Sequence, residues 1–315
     1  MRSLESIFPP VVPFALLILL AVCPLGMVQA DVAGVVAFAQ DDMGNDWRRA
    51  QVEEVAEALG HHPGIDFRVS DARGRLPLQI LQIEDWIAAD VDVLITSPMD
   101  AEAMTPVLRR VKEAGIPLVL VDRQVREPIE DAFVLGDNRG IAREAGRAVV
   151  EALDGRGRVL MLEGVPGAST TVDRRRGFMD VLAQEEGISV ESLAGNYLRG
   201  DTIRRVEALV EQEGGFRFDA VYSHSDSMLT GLYMALYELD IPADSLFTAG
   251  VDYIAEARER IRRGEQDLSF TYPTGGEEGA AIVVDLLRDR DVPARTVKSF
   301  EAVTRENVER VEPIF

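Results

Sequence analysis

Residues 106–123 read PVLRRVKEAGIPLVLVDR, and this stretch decides the fold. Pro106–Ala114 reads as a helix closed by Gly115, and Ile116–Val121 as an uninterrupted Val/Ile/Leu strand. A run apolar on both faces fits a parallel strand covered by helices on both sides. Asp122 and Arg123 stand directly behind it. In open parallel sheets the carboxyl ends of the strands are where ligands bind, so this pair marks a candidate site.

The same unit recurs in both directions. Upstream, the strands Val32–Ala39, Ile65–Val69 and Val91–Thr96 alternate with the helices Asp46–Leu59 and Leu78–Ala89. Downstream come helix Ile141–Leu153, strand Arg158–Leu162, helix Arg174–Glu186 and strand Ser189–Ala194. Helices Ile203–Glu213, Met228–Leu239, Ile254–Arg263 and Glu277–Arg290 then alternate with strands Ala220–Ser223, Leu246–Val251, Asp267–Thr271 and Thr296–Val303. No Pro- or Ser-rich linker interrupts the series. The expected class is α/β, with two similar doubly wound parallel-sheet lobes.

Length agrees, since 315 residues at roughly 100–200 per domain give two lobes. Hydrophobic content of 47% with 28% charged residues excludes wholesale disorder. Acidic residues number 54 against 33 basic ones, a formal charge of -21. A field of that sign repels phosphate backbones and excludes generic nucleic-acid binding. Lys is limited to Lys112 and Lys298, an acid-rich, Lys-poor usage that also fits a salt-adapted protein. The single Cys23 excludes both a disulfide framework and a multi-cysteine metal site.

Residues 1–30 read as a signal peptide. Arg2 precedes a nearly uncharged stretch, densest over Val11–Cys23 and broken by Pro9, Pro10, Pro13 and Pro24, too short for a membrane span. Val28-Gln29-Ala30 supplies small residues for cleavage near Ala30. Lipid anchoring at Cys23 is the weaker alternative, because Val22 is large and Pro24 follows. The mature chain, without a thiol, is suited to an oxidising compartment such as the periplasm.

Nearly every strand end carries a planar hydrogen-bonding group or an aromatic ring. The first is followed by Gln40 to Arg48, with Trp47 and Arg48 at the start of a helix. Later ends bring Asp122-Arg123, Gly136-Asp137-Asn138, Asp173-Arg174, Asn196-Tyr197, His224-Ser225-Asp226, Asp252 and Tyr272-Pro273. An acid after one strand is most often a solvated turn or a helix cap. Eight such ends together describe a cleft for vicinal hydroxyls, which donate and accept, with rings to cover apolar C–H faces.

These segments, in this order, resemble the periplasmic sugar-binding proteins of ribose-binding type, from about Gly34 to about Val308. Val121-Asp122-Arg123, Gly167-Ala168-Ser169 with Asp173-Arg174-Arg175-Arg176-Gly177-Phe178, and Tyr222 to Met228 carry the resemblance. Gly250-Val251-Asp252 and Val303 to Val308 add to it. Trp47-Arg48 and Gly195-Asn196-Tyr197 look most like the galactofuranose-binding branch. The resemblance implies a three-strand hinge joining the lobes, 31–136 plus 273–299 and 138–271 plus 300–315, around a ligand cleft. It implies that Trp47 and Tyr197 stack on a sugar ring, and that Arg48, Asp122, Arg123, Asn138, Arg174 and Asp252 bond its hydroxyls. Ser225 and Thr271 occupy ligand-binding positions where the family has longer amides, so the identity of the sugar is open.

Enzyme signatures are missing. No dinucleotide fingerprint, phosphate loop or Gly-x-Ser-x-Gly occurs, and the lone His224 beside the cleft reads as structural. Paired acids such as Asp226 and Asp252 could serve glycoside hydrolysis only with a raised pKa. An Arg-rich cleft works against that. No catalytic residue, cofactor or metal is expected. The expected role is a monomeric solute-binding protein that hands a neutral sugar or polyol to the membrane permease of an ABC importer. The alternative is a sensor that presents its closed form to a membrane histidine kinase or chemoreceptor.

Overall fold

A computed structural model describes residues 32–315 of the chain; the expected leader, with Cys23 and the cleavage point at Ala30, lies outside the described residues. Asp31–Phe315 forms one compact unit. Strands β1 (Ala33–Gln40), β2 (Gly64–Asp71), β3 (Val93–Thr96), β4 (Leu118–Val121), β5 (Ala132–Gly136) and β11 (Arg295–Lys298) make one sheet. Their order is β11-β5-β4-β3-β1-β2, and every neighbouring pair is parallel. A second parallel sheet contains β6 (Arg156–Glu163), β7 (Gly187–Ala194), β8 (Ala220–Ser223) and β9 (Phe247–Ala249), in the order β7-β6-β8-β9. The short β10 (Ser269–Phe270) and β12 (Ala302–Val303) pair antiparallel.

Alternation along each central strand explains the layers. Successive side chains point to opposite faces of a sheet, so a strand apolar at every position feeds two cores. In β4, Val119 and Val121 join the cluster under α1 (Asp46–Gly60) and α9 (Gly276–Leu286), whereas Leu118 and Leu120 join the one under α2 (Leu76–Ala88) and α3 (Thr105–Glu113). In β6, Val159 and Met161 pack with α4 (Asn138–Ala152) and α5 (Ser169–Leu182). Leu160 and Leu162 pack with α6 (Arg199–Glu213) and α7 (Asp226–Glu238). Each buried aliphatic side chain here contributes ~1.5–3 kcal/mol. The last helix, α8 (Ala255–Arg263), packs Ile261 against Val303, Val308 and Val311 of the C-terminal segment.

Parallel bridges Ala249–Leu268 and Asp252–Thr271 join the β10–β12 pair to the four-stranded sheet, so the chain passes between two sheet systems three times: after β5, after β10 and after β11. Several expected ends shift: the helix expected over Glu277–Arg290 stops at Leu286, and the strands expected over Leu246–Val251 and Asp267–Thr271 shorten to Phe247–Ala249 and Ser269–Phe270. Two departures are larger. The strand expected over Thr296–Val303 is two strands, with β11 on the six-stranded sheet and β12 paired to β10, because the chain changes sheets between them. The helix expected over Arg174–Glu186 starts a turn and a half earlier, at Ser169, and ends at Leu182. Ser169, Thr170 and Thr171 carry no apolar signal, yet Thr170 and Thr171 are buried in its first turn.

Candidate functional site

The carboxyl ends of β1, β4, β6, β7, β8 and β9 face a common cleft between the two sheets. After β1 a Gly-Asn turn places Asn45 as the N-cap of α1, its Oδ1 accepting the Arg48 N–H at 2.9 Å. That cap brings Trp47 and Arg48 onto the first turn, both buried against the cleft. After β4 the backbone of Asp122 adopts φ 67°, and after β9 that of Asp252 adopts φ 103°. Asn196 and Tyr197, after β7, are left-handed too, at 56° and 62°. Non-glycine residues in this region cost on the order of 1–3 kcal/mol each and gather where geometry serves a function. Three strand ends of this cleft share the feature.

A small cavity lies at the meeting of these ends. Trp47, Tyr197 and Tyr272 wall it, and Arg48, Asp122, Arg174 and Asp252 reach its surface, with Asn45 and Thr170. Gly164 permits the Tyr197 wall, since a Cβ there would lie 2.0 Å from the Tyr197 ring. The Tyr197 hydroxyl is 3.1 Å from both Thr170 Oγ1 and Thr171 Oγ1. Trp47 is anchored by its indole N–H, which donates to the Tyr272 carbonyl at 2.9 Å. The Arg48 guanidinium sits 4.9 Å from the Trp47 ring centroid.

On the side of the six-stranded sheet the charges are paired. Arg48 Nη2 donates to Asp122 Oδ2 at 2.6 Å and its Nε lies 3.3 Å from Asp41 Oδ1. Arg123 Nη1 donates to Asp41 Oδ2 at 2.6 Å. The Tyr272 hydroxyl donates to Asp122 Oδ1 at 2.6 Å. Burial alone would raise the Asp122 carboxyl, but Arg48, Arg123 and the Tyr272 hydroxyl hold it below its usual value. Asp122 is therefore a fixed, ionised acceptor.

The opposite wall is less satisfied. Arg174 Nε donates to Asn138 Oδ1 at 2.8 Å and its Nη1 to the His224 carbonyl. Among the described residues, neither its Nη2 nor the Asp252 carboxylate has a hydrogen-bond partner, although both side chains are buried. Burial pushes the Asp252 carboxyl well above its usual range, and the nearby Arg174 offsets only part of this. A buried donor and a buried acceptor left open toward one cavity cost free energy unless something else satisfies them.

Trp47, Arg48, Asp122, Arg174, Tyr197 and Asp252 thus meet at one cavity. Arg123 and Asn138 stand a layer behind, Arg123 holding Asp41 and Asn138 linking Arg174 to the Tyr272 hydroxyl. Ser225 and Thr271 are placed elsewhere. The Ser225 hydroxyl caps α7, accepting the Met228 N–H at 3.2 Å. Thr271 Oγ1 accepts the Glu301 N–H at 2.8 Å, beside β12. His224 is buried, its Nδ1 accepting the Gly164 N–H at 3.3 Å, and burial with Arg174 nearby holds it well below its usual pKa. Asp226, considered beside Asp252 as a paired acid, is committed to Gln266, Ser269 and the Tyr253 N–H. Sequence reasoning missed Asn45, Thr170 and Tyr272 as lining residues. Only the position of Tyr272 just past a strand hinted at its place.

The sequence profile described as "Periplasmic binding protein domain" matches residues 36–290. A putative rhizopine-binding protein of Rhizobium meliloti is 27% identical over 286 residues, covering 89% of this chain and 92% of that one. The galactofuranose-binding protein YtfQ of Escherichia coli is 28% identical over 241 residues, covering 74% and 76%. A crystal structure of a galactofuranose binding protein superposes with TM-score 0.81 at 22% identity, over 87% of this chain and 96% of that one, which shows a shared fold.

Proposed function

The chain belongs to the periplasmic binding protein family, among relatives that are solute-binding proteins rather than enzymes, and from that premise we propose that it captures a neutral sugar or related polyol between two closing lobes and delivers it to an ABC-type importer. The observation that carries the reading is the open pair in the cleft. Arg174 Nη2 and the Asp252 carboxylate offer a donor and an acceptor that a sugar's vicinal hydroxyls can use together. Trp47 and Tyr197 supply the apolar faces for its C–H groups.

Charge selects against ions. Three acids (Asp41, Asp122, Asp252) and three arginines (Arg48, Arg123, Arg174) cluster at the site, so an uncharged ligand leaves no net buried charge. An anion or cation would leave one uncompensated, at a cost of several kcal/mol. In this reading residues 31–136 plus 273–299 form one lobe and 138–271 plus 300–315 the other. Residues 1–30 are the export signal, cleaved near Ala30, and the mature protein works as a monomer in the periplasm.

A thermal-shift screen of the mature protein against neutral furanoses, pyranoses and polyols tests the binding step. A ligand at 100 times its Kd adds ~2.7 kcal/mol, which raises Tm by roughly 4–5 °C for a chain of this size. A panel with no shift at millimolar ligand contradicts the reading. Loss of uptake of the stabilising sugar on deleting the gene supports import, and intact uptake with a lost sugar response supports sensing instead.

A further inference from the structure

We propose that Tyr272, a residue of the hinge, sets the size of the sugar that the cleft accepts; this rests on the sugar-binding reading above. The ring stands between two spaces. On one side is the ligand cavity. On the other is a narrow gap that admits no water, lined by Asp122, Val134, Gly136, Thr274 and Lys298. Tyr272 and Asp122 line both, and together they form the partition.

The partition is held from every direction. A Cβ at Gly136 would lie 2.2 Å from the Tyr272 ring, so the ring is seated directly on the hinge backbone where only glycine leaves room. The Arg174 guanidinium covers the ring at 4.5 Å from its centroid, and Trp47 flanks it at 5.5 Å between centroids. The hydroxyl donates to Asp122 Oδ1 at 2.6 Å and accepts from Asn138 Nδ2 at 3.0 Å. Swinging the ring aside would take a hydrogen bond from Asp122 Oδ1 and another from the Asn138 amide, both buried, so it yields to a larger ligand less readily than a loose surface side chain would.

A sugar that reaches toward the hinge therefore meets a fixed wall. One additional hydroxymethyl arm in that direction has nowhere to go unless the ring is removed, in which case the gap behind it joins the cavity. The hydroxyl plays a separate part, orienting the Asp122 carboxylate that Arg48 holds by its other oxygen. Ring and hydroxyl can thus be tested apart.

The probes are sugar pairs that differ by one hydroxymethyl arm, L-arabinose with D-galactose and D-xylose with D-glucose, titrated calorimetrically into the full mature chain. The wild type is expected to prefer the pentose of whichever pair it binds by at least about tenfold. Tyr272→Leu is expected to abolish or reverse that ratio; Tyr272→Met replaces it if the Leu variant does not fold. Tyr272→Phe keeps the ring, so it should keep the ratio while weakening both sugars about tenfold. An unchanged ratio in Tyr272→Leu or Tyr272→Met, or a ratio shifted toward the hexose in Tyr272→Phe, overturns the proposal. Binding of neither pair by the wild type overturns the sugar reading itself and this proposal with it.

Discussion

Asp122 and Asp252 are both buried carboxylates with left-handed backbones after parallel strands, yet the protein treats them oppositely. Asp122 is held below its usual pKa by two arginines and a tyrosine hydroxyl, whereas burial leaves Asp252 raised well above 3.8. A raised pKa in the folded state means that the fold binds the proton more tightly than the unfolded chain does. The stability this group contributes is then fully present below about pH 3.8 and is lost as pH rises through the raised value. Asp252→Asn should therefore raise the Tm of the ligand-free protein at pH 7, with the gain vanishing toward pH 3.8, as a series of melts across pH will show. The same substitution should cost ~1.5–3 kcal/mol of sugar affinity, because a charged acceptor is lost. A variant that is both more stable and a poorer binder marks strain kept for function.

Arg174 combines both roles. Its guanidinium satisfies Asn138 and the His224 carbonyl and leaves Nη2 facing the cavity. Arg174→Ala should lower affinity by ~2–5 kcal/mol in a titration. It should also lower the ligand-free Tm, since two buried acceptors lose their donor at ~1–3 kcal/mol each. Normal binding by this variant would remove Arg174 from the site.

At the scale of elements, the rims of the cleft are fastened by contacts between the sheet systems. Asn45, capping α1, donates through Nδ2 to the Tyr197 carbonyl at 2.7 Å. Arg199, opening α6, bridges Asp46 of α1 at 2.6 Å and Glu256 of α8 at 2.8 Å. These last groups are a quarter to nearly half exposed, so each ion pair is worth only ~0.2–1 kcal/mol. Arg199→Ala should weaken sugar binding by no more than about fivefold, and the difference from wild type should disappear near 1 M salt, where screening acts within about 3 Å. Titrations at low and high salt check it; a salt-independent loss would mean that Arg199 acts by packing.

The elements themselves were readable because the central strands carry continuous apolar runs, such as Leu118–Val121 and Val159–Leu162, and the helices place apolar residues at recurring positions. What escaped was chain direction over short distances. Thr296–Val303 reads as one strand, and only the pairing of its ends with different partners divides it. Side-chain alternation separates Thr271, the position the resemblance supplied, from Tyr272, the residue read just past the strand: adjacent residues on an extended segment point oppositely, and Tyr272 is the one that lines the cavity. Ser225 was claimed by α7, which needs an N-cap. Tyr272 meets Asp122 across 150 positions of chain, a pairing that no local pattern encodes.

For the whole molecule, the acidic surface and the cleft answer to different demands. The chain carries a formal charge of -21, whereas the binding cluster balances three acids with three arginines. On the proposed reading, a ligand bonded from both sheet systems would bind a closed form more tightly than an open one, and that difference in affinity would drive closure. On the same reading the cleft takes one uncharged polyhydroxylated ligand. Calorimetric titration of the mature protein with the best neutral sugar and with its carboxylate and phosphate derivatives tests this most directly. The account predicts saturation at one sugar per chain, with the charged derivatives at least a hundredfold weaker. A carboxylate or phosphate that binds as tightly as the neutral sugar, or more tightly, would contradict it.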